Sequence, residues 1–260
     1  MGKTIAIANQ KGGVGKTTTA INISASLAAA ERHVLLIDTD PQGNSTSGLG
    51  IERDNLNGSL YDIYIGKKGI EDIIRKTNLN YLDVIPSNID LIGAELELID
   101  REGREAILKR ALEPVKSRYG FIFIDCPPSL SLLTINALVA ADSLLVPMQC
   151  EYYALEGIGS LMKTLNLVRS SYNSLLEIEG ILLTMFDGRN VLANQVAAEL
   201  KRHFGDKVFK TMIPRNVTLA EAPSHGKPVI LYDVRSKGAQ SYMALAKEVI
   251  DNENGTGQGS

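Results

Sequence analysis

Apolar residues in this chain come in short, nearly continuous runs separated by longer stretches of helical period. The runs TIAIAN (4–9), HVLLID (33–38), YLDVIP (81–86), FIFIDCP (121–127), SLLVPM (143–148), IEGILLTMF (178–186) and VFKTMIP (208–214) read as β-strands. Several lack the alternation of a half-exposed strand, which predicts burial on both faces. Segments 16–31, 102–118, 129–140, 154–171, 190–203 and 236–250 place their apolar residues at helical spacing. This alternation predicts an α/β fold, a doubly wound, mostly parallel sheet with helices on both faces. The stretch 43–60, rich in Gly, Ser and Asn, is expected to be a mobile loop. Residues 1–250 are read as one domain, and 251–260 as a disordered tail.

Composition narrows the class. Hydrophobic content of 44% and charged content of 22% are ordinary for a globular domain. Cys126 and Cys150 are too few for a disulfide framework, and no C-x-x-C pair offers a zinc or iron–sulfur site. No apolar run approaches the roughly 20 residues of a membrane span, and the N-terminus enters a strand pattern without a signal segment, so a cytoplasmic protein is expected. The net charge of −3 hides an asymmetry. Residues 180–250 carry ten Lys and Arg against six Asp and Glu, whereas the remainder carries 17 against 24. A basic segment on an acidic chain hints at a polyanion-binding face.

The candidate chemistry begins at NQKGGVGKTTTA (9–20). The phosphate-loop pattern G-x-x-x-x-G-K-[ST] fits Gly15-Lys16-Thr17, but its first glycine falls on Gln10, and an additional Lys11 follows. The context is a strand, then Gly12, Gly13 and Gly15, then a helix. Such a turn lets backbone N–H groups converge on phosphate at a helix N-terminus. Lys16 is placed to reach the β- and γ-phosphates and Thr17 to bind Mg²⁺. Two apolar strands end in carboxylates, Asp125 in FIFIDCPP and Asp38 with Asp40 in LLIDTDPQGN. Ligands of open α/β sheets sit at such strand ends, so the three are expected to converge on the phosphates.

KGGVGKTTTAINIS, LLIDTDPQGNSTSGLG, FIFIDCPPSLSLLTINAL and IPRNVTLAEAPSHGKPVILYD together resemble the ParA/Soj chromosome- and plasmid-partitioning ATPases, relatives of MinD, over about residues 3–250. The resemblance implies an Mg²⁺-dependent ATPase that forms a homodimer on binding ATP. Lys11 would cross to the partner's phosphates, as an arginine finger does in trans. Lys11, Gly12, Gly13, Val14, Gly15, Lys16, Thr17 and Thr18 would form the nucleotide loop. Asp40 would orient the attacking water, Asp125 and less clearly Asp38 would support the metal, and Met185, Pro214 and Asn216 would lie near adenine.

Missing features separate members of this group. The cysteines read as packed thiols, unlike the placed pair of the nitrogenase iron protein. The last helix lacks the basic apolar anchor of MinD-type proteins, so no membrane binding is expected. What remains is nonspecific double-stranded DNA, with Arg189, Lys201, Arg202, Lys227, Arg235, Lys237 and Lys247 as favoured phosphate contacts, and Lys207, Lys210 and Arg215 as further candidates. The expected function is a DNA-segregation switch on the nucleoid, discharged by a ParB-type centromere-binding partner. The rivals are a ParA-like positioning ATPase for a protein cargo and a MinD-like regulator of the division site.

Overall fold

The computed structural model describes residues 2–53, 56–151 and 154–256. Its sheet has seven strands, β1 (Lys3–Ile7), β2 (Val34–Asp38), β3 (Arg75–Lys76), β4 (Leu82–Ile85), β5 (Phe121–Asp125), β6 (Ser143–Gln149) and β7 (Glu177–Thr184), in the order β3-β4-β2-β5-β1-β6-β7. Every pairing is parallel except β3 with β4. The helices are α1 (Lys16–Ala29), α2 (Asn44–Gly48), α3 (Leu60–Tyr64), α4 (Ile70–Ile73), α5 (Leu91–Glu97), α6 (Ile107–Leu112), α7 (Leu132–Ala140), α8 (Ala154–Ser171), α9 (Val191–Phe204), α10 (Val217–Glu221), α11 (Val229–Tyr232) and α12 (Lys237–Thr256).

The pleat sorts each central strand between two cores. Ile5, Ile7, Leu36, Phe121 and Phe123 join α1 and α10 to α12 in one apolar layer. Ala6, Leu35, Ile37, Ile122 and Ile124 join α3 to α9 in the other. Burial on both faces is why these strands read as unbroken apolar runs. The doubly wound sheet is therefore as the pattern predicts.

Four local expectations need correcting. Residues 208–214 are not a strand: they meet β7 and the residues after it through isolated bridges, Ile181 to Val208 and Phe186 to Pro214, and through the amides of Phe209 and Ile213, which donate to the Ile181 and Leu183 carbonyls. The amides of Lys210 and Thr211 instead donate to Glu248 on α12, at 2.7 and 3.0 Å. The helix foreseen over 102–118 is broken into 3₁₀ turns around α6, with Pro114 barring a continuous ladder. Within 43–60, residues 44–48 form α2 rather than a mobile loop, although 54 and 55 lie outside the described residues. The last helix passes residue 250 and continues to Thr256, since extending a nucleated helix through polar residues costs little; 257–260 lie outside the described residues.

Gly180 shows how closely the layers fit around β7. It lies beside a register irregularity, and a Cβ there would stand 2.5 Å from the ring of the buried Phe209. Adding a methyl in a strand gains roughly 0.5–1 kcal/mol of backbone entropy, whereas overpacking costs about 1–3 kcal/mol. Three ring atoms below 3.0 Å place this site at the upper end of that cost. Gly180→Ala is therefore expected to lower stability by about 1–2 kcal/mol in denaturant unfolding, with unchanged or raised stability as the contrary result.

Candidate active site

The loop between β1 and α1 is held from below. Asn9 donates through Nδ2 to the Pro147 carbonyl (2.8 Å) and accepts at Oδ1 from the Lys11 amide (3.0 Å). The Thr184 hydroxyl donates to the Val14 carbonyl at 2.8 Å, and the Val14 side chain is buried beneath the loop. Gly13 (φ +73°) and Gly15 (φ +86°) adopt the left-handed conformation that favours glycine. A Cβ on Gly12 or Gly13 would meet nothing within 4 Å, so the space above the loop is open. α1 begins with neither a side-chain cap nor an acidic residue in its first turn, which leaves its leading amides available to an anion.

Three charged groups converge beneath that space. Lys16 is buried, donates to the Lys11 carbonyl at 3.1 Å, and has its pKa lowered by burial against the opposing pull of Asp125, Cys126 and Asp40. Asp38 and Asp125 are register partners at the ends of β2 and β5, both fully buried. Burial pushes the carboxyls of both upward, and for Asp125 the charge of Asp38 adds to the effect. Asp38 accepts from the Thr46 amide (2.8 Å), the Thr46 hydroxyl (2.7 Å) and the Asp40 amide (3.1 Å). Asp125 accepts from the Ser45 hydroxyl at 2.7 Å through Oδ2, while Oδ1 has no hydrogen-bond partner among the described residues.

A buried carboxylate oxygen without a partner, beside a buried ammonium and an uncapped helix start, fits Mg²⁺ held largely by phosphate and water. Such an ion would draw on the Thr17 hydroxyl and Asp125. Asp38 is differently employed. Its oxygens carry three hydrogen bonds, from the Asp40 amide and from the amide and hydroxyl of Thr46, and so organise the loop that follows β2.

Of these groups, Lys16 lines a cavity of about 790 Å³, within the range of small-molecule sites. Gly12, Gly13, Gly15, Lys16, Thr17 and Thr18 line it, and so do Met185, Pro214 and Asn216. Asp40 lies on the wall, half-buried, accepting from the Gln42 amide at 2.9 Å. Asn216 also accepts from the Leu219 amide and so starts α10, and Met185 sits at φ +48°, rare for a residue other than glycine. Gln42, Asn44, Pro128, Thr184 and Arg215 join the wall without having been foreseen there. Only Thr184, at the end of an apolar strand, had a position that could have signalled it. Arg215, a candidate DNA contact, stands instead at the cavity.

Lys11 is not on the cavity wall. Its ammonium pairs with Glu151, and both side chains are about half exposed, at 48% and 47%.

The other basic candidates are carried by elements of both helical layers. Lys201 and Arg202 ride on α9, which packs into one core layer, whereas Lys237 and Lys247 ride on α12, in the other. Lys227 precedes α11 and Arg235 precedes α12. Arg189 is held by Asp187 at 2.8 and 2.9 Å, and Arg202 pairs with Glu199. Lys227, Arg235 and Lys237 are exposed and form no ion pair among the described residues. Cys126 and Cys150 are free, buried thiols.

Comparison with known proteins completes this picture. Residues 2–178 match a family model described as an AAA domain. The chain is 60% identical to the sporulation initiation inhibitor protein Soj of Bacillus subtilis (strain 168), over 97% of this chain and 100% of that protein. It is 54% identical to the chromosome partitioning protein ParA of Myxococcus xanthus (strain DK1622), over 97% and 89% of the two chains. Among solved structures, it is similar to a cobyrinic acid a,c-diamide synthase from Mycobacterium smegmatis with bound ADP and magnesium, at 36% identity and a TM-score of 0.86, covering 98% and 96%. A deviant phosphate loop, two strand-end carboxylates and full-length identity of this degree agree: the chain belongs to the Soj/ParA family of chromosome-partitioning ATPases.

Proposed function

We propose that this protein is an ATP-driven DNA-segregation switch of the cytoplasm and nucleoid. In this reading two copies close on ATP and Mg²⁺, bind DNA without sequence preference, and hydrolyse ATP when a ParB-type centromere-binding partner engages them. The position of Lys11 carries the reading. Its ammonium stands outside its own cavity, at the end of a loop whose other residues line that cavity, so the charge is presented to a second molecule rather than to its own nucleotide.

Each residue then has a physical task. The amides opening α1 and the ammonium of Lys16 bind phosphate oxygens, and burial keeps water from screening that charge. Mg²⁺ held near Thr17 and Asp125 would neutralise phosphate charge. Asp40 orients the attacking water from the cavity wall. Lys11 from the other subunit adds positive charge where negative charge develops in the transition state, which makes the nucleotide part of the dimer interface. Met185, Pro214 and Asn216 line the part of the cavity where a base fits. Dimerisation doubles the number of exposed cations, and so ties DNA affinity to the nucleotide state.

Fluorescence anisotropy of a random-sequence duplex, with ATP, ADP or no nucleotide at two salt concentrations, tests the whole reading. Binding is expected only with ATP and to fall steeply with salt. Equal binding in all three states, or none in any, contradicts it. Lys11→Ala is expected to lose ATP-dependent dimerisation and DNA binding while still binding ATP as a monomer; wild-type dimerisation by light scattering would remove the trans role. Asp40→Ala should retain ATP-dependent DNA binding with turnover slowed by about 10²-fold or more, the scale of losing an oriented proton acceptor. Undiminished phosphate release refutes that assignment. Removing both Arg235 and Lys237 should reduce the slope of log affinity against log salt by about 1–2; an unchanged slope places the DNA elsewhere.

A further inference from the structure

The turn that carries Asp40 is anchored at both ends by the buried carboxylates. Asp38 takes the Asp40 amide, and the hydroxyls of Ser45 and Thr46 bind Asp125 and Asp38. Between these anchors the turn closes on itself. The Asp40 carboxylate accepts from the Gln42 amide and its carbonyl from the Gly43 amide, both at 2.9 Å. Gln42 is exposed, so the middle of the turn needs a grip from outside to keep one tilt.

Arg53 supplies that grip. The chain doubles back after α2, with the Gly50 amide donating to the Ser47 carbonyl at 2.9 Å and the Ile51 amide to the Thr46 carbonyl at 3.2 Å. Arg53 is thereby returned to the turn, where its guanidinium Nη1 donates to the Gln42 carbonyl. Its stem lies across Gly43. A Cβ on Gly43 would stand 2.7 Å from Cδ of Arg53 and 3.0 Å from the Ser87 carbonyl oxygen, just past the end of β4. Gly43, buried and at φ +60°, therefore sits in a slot that admits no side chain. Among the described residues Arg53 forms no ion pair, and it does not line the cavity. Its charge is spent on a backbone carbonyl, and a charged donor makes a stronger hydrogen bond than a neutral one.

We infer that Arg53 is a positioning residue for hydrolysis, holding the 40–43 turn so that the Asp40 carboxylate faces the attacking water. The inference deepens the proposed switch, and rests on the water-orienting role given there to Asp40. Arg53 acts only through the turn, since it lies off the cavity wall. α2 is secured separately by Ser45 and Thr46, so releasing Arg53 loosens residues 41–43 and leaves the fold and the phosphate loop as they are. Misplacing a reacting group by about 1 Å costs on the order of 10²-fold in rate, and partial loosening of one turn is expected to cost about tenfold.

The test is ATP hydrolysis by the full chain at saturating ATP, with Mg²⁺ and a random-sequence duplex. Arg53→Met keeps the stem over Gly43 and removes the donors. Its kcat is expected to fall about tenfold, while affinity for a fluorescent ATP analogue, the ATP-dependent dimer and the melting curve stay as in the wild type. Arg53→Lys keeps one charged donor and should return to within about threefold of the wild-type rate. Arg53→Met combined with Asp40→Ala should be no more than about twofold slower than Asp40→Ala alone, because a turn without its carboxylate has nothing left to aim. A wild-type rate for Arg53→Met overturns the inference. So does a full tenfold loss on top of Asp40→Ala, which would make the support independent of Asp40. Weakened ATP binding at an unchanged kcat also overturns it, by moving Arg53 to the nucleotide. Undiminished turnover by Asp40→Ala refutes the water assignment and the inference with it; a wild-type rate for Arg53→Met beside an impaired Asp40→Ala refutes the positioning role alone.

Discussion

Two carboxylates share the driest part of this molecule, and the surrounding structure is arranged to tolerate them. Asp38 and Asp125 end neighbouring strands in register, with no exposed surface on either. Burial raises the cost of ionising both, and the charge of Asp38 adds to it for Asp125, that of Asp40 for Asp38. α2 answers that cost. Ser45 and Thr46 turn their hydroxyls inward to the two carboxylates, and the resulting hydrogen bonds convert a Gly/Ser/Asn-rich segment into a helical turn. Thr46 also accepts from the Ser87 amide at 3.0 Å, which joins the end of β4 to the same network. One carboxylate oxygen, Oδ1 of Asp125, is left over. A buried charged acceptor without a partner costs about 1–3 kcal/mol or more. A cation at this place lowers that cost, so ligand binding and folding stability are coupled through a single atom.

Much of this was legible in the sequence, for identifiable reasons. The strands announced themselves because both faces are buried, and the phosphate loop because Gly13 and Gly15 need a backbone that side chains disfavour. The carboxylates were visible because each follows four apolar residues. Elements that depend on contacts distant in sequence were not legible. α2 exists because Asp38 and Asp125 bind its side chains, and residues 208–214 do not form a continuous strand because Glu248, nearly 40 residues later, takes the amides of Lys210 and Thr211. β3 is two residues long, too short for any period to register. Asn9 and Pro128 belong to the site through the loops they secure, and no spacing rule marks such residues.

The same division separates what one chain completes from what it leaves open. The phosphate end of the cavity is finished: glycines, Lys16 and the carboxylates are all supplied by elements of one sheet. Lys11 is not. Its pairing with Glu151 is half exposed on both sides, and such pairs are worth about 0–1 kcal/mol. A bond that weak holds the lysine clear of Lys16, whose positive charge would repel it, yet yields to any stronger anion brought within reach. A triphosphate carried by another subunit is a stronger anion than a single glutamate. In the proposed switch the ion pair would act as a shallow resting place, from which Lys11 would reach the nucleotide of another subunit.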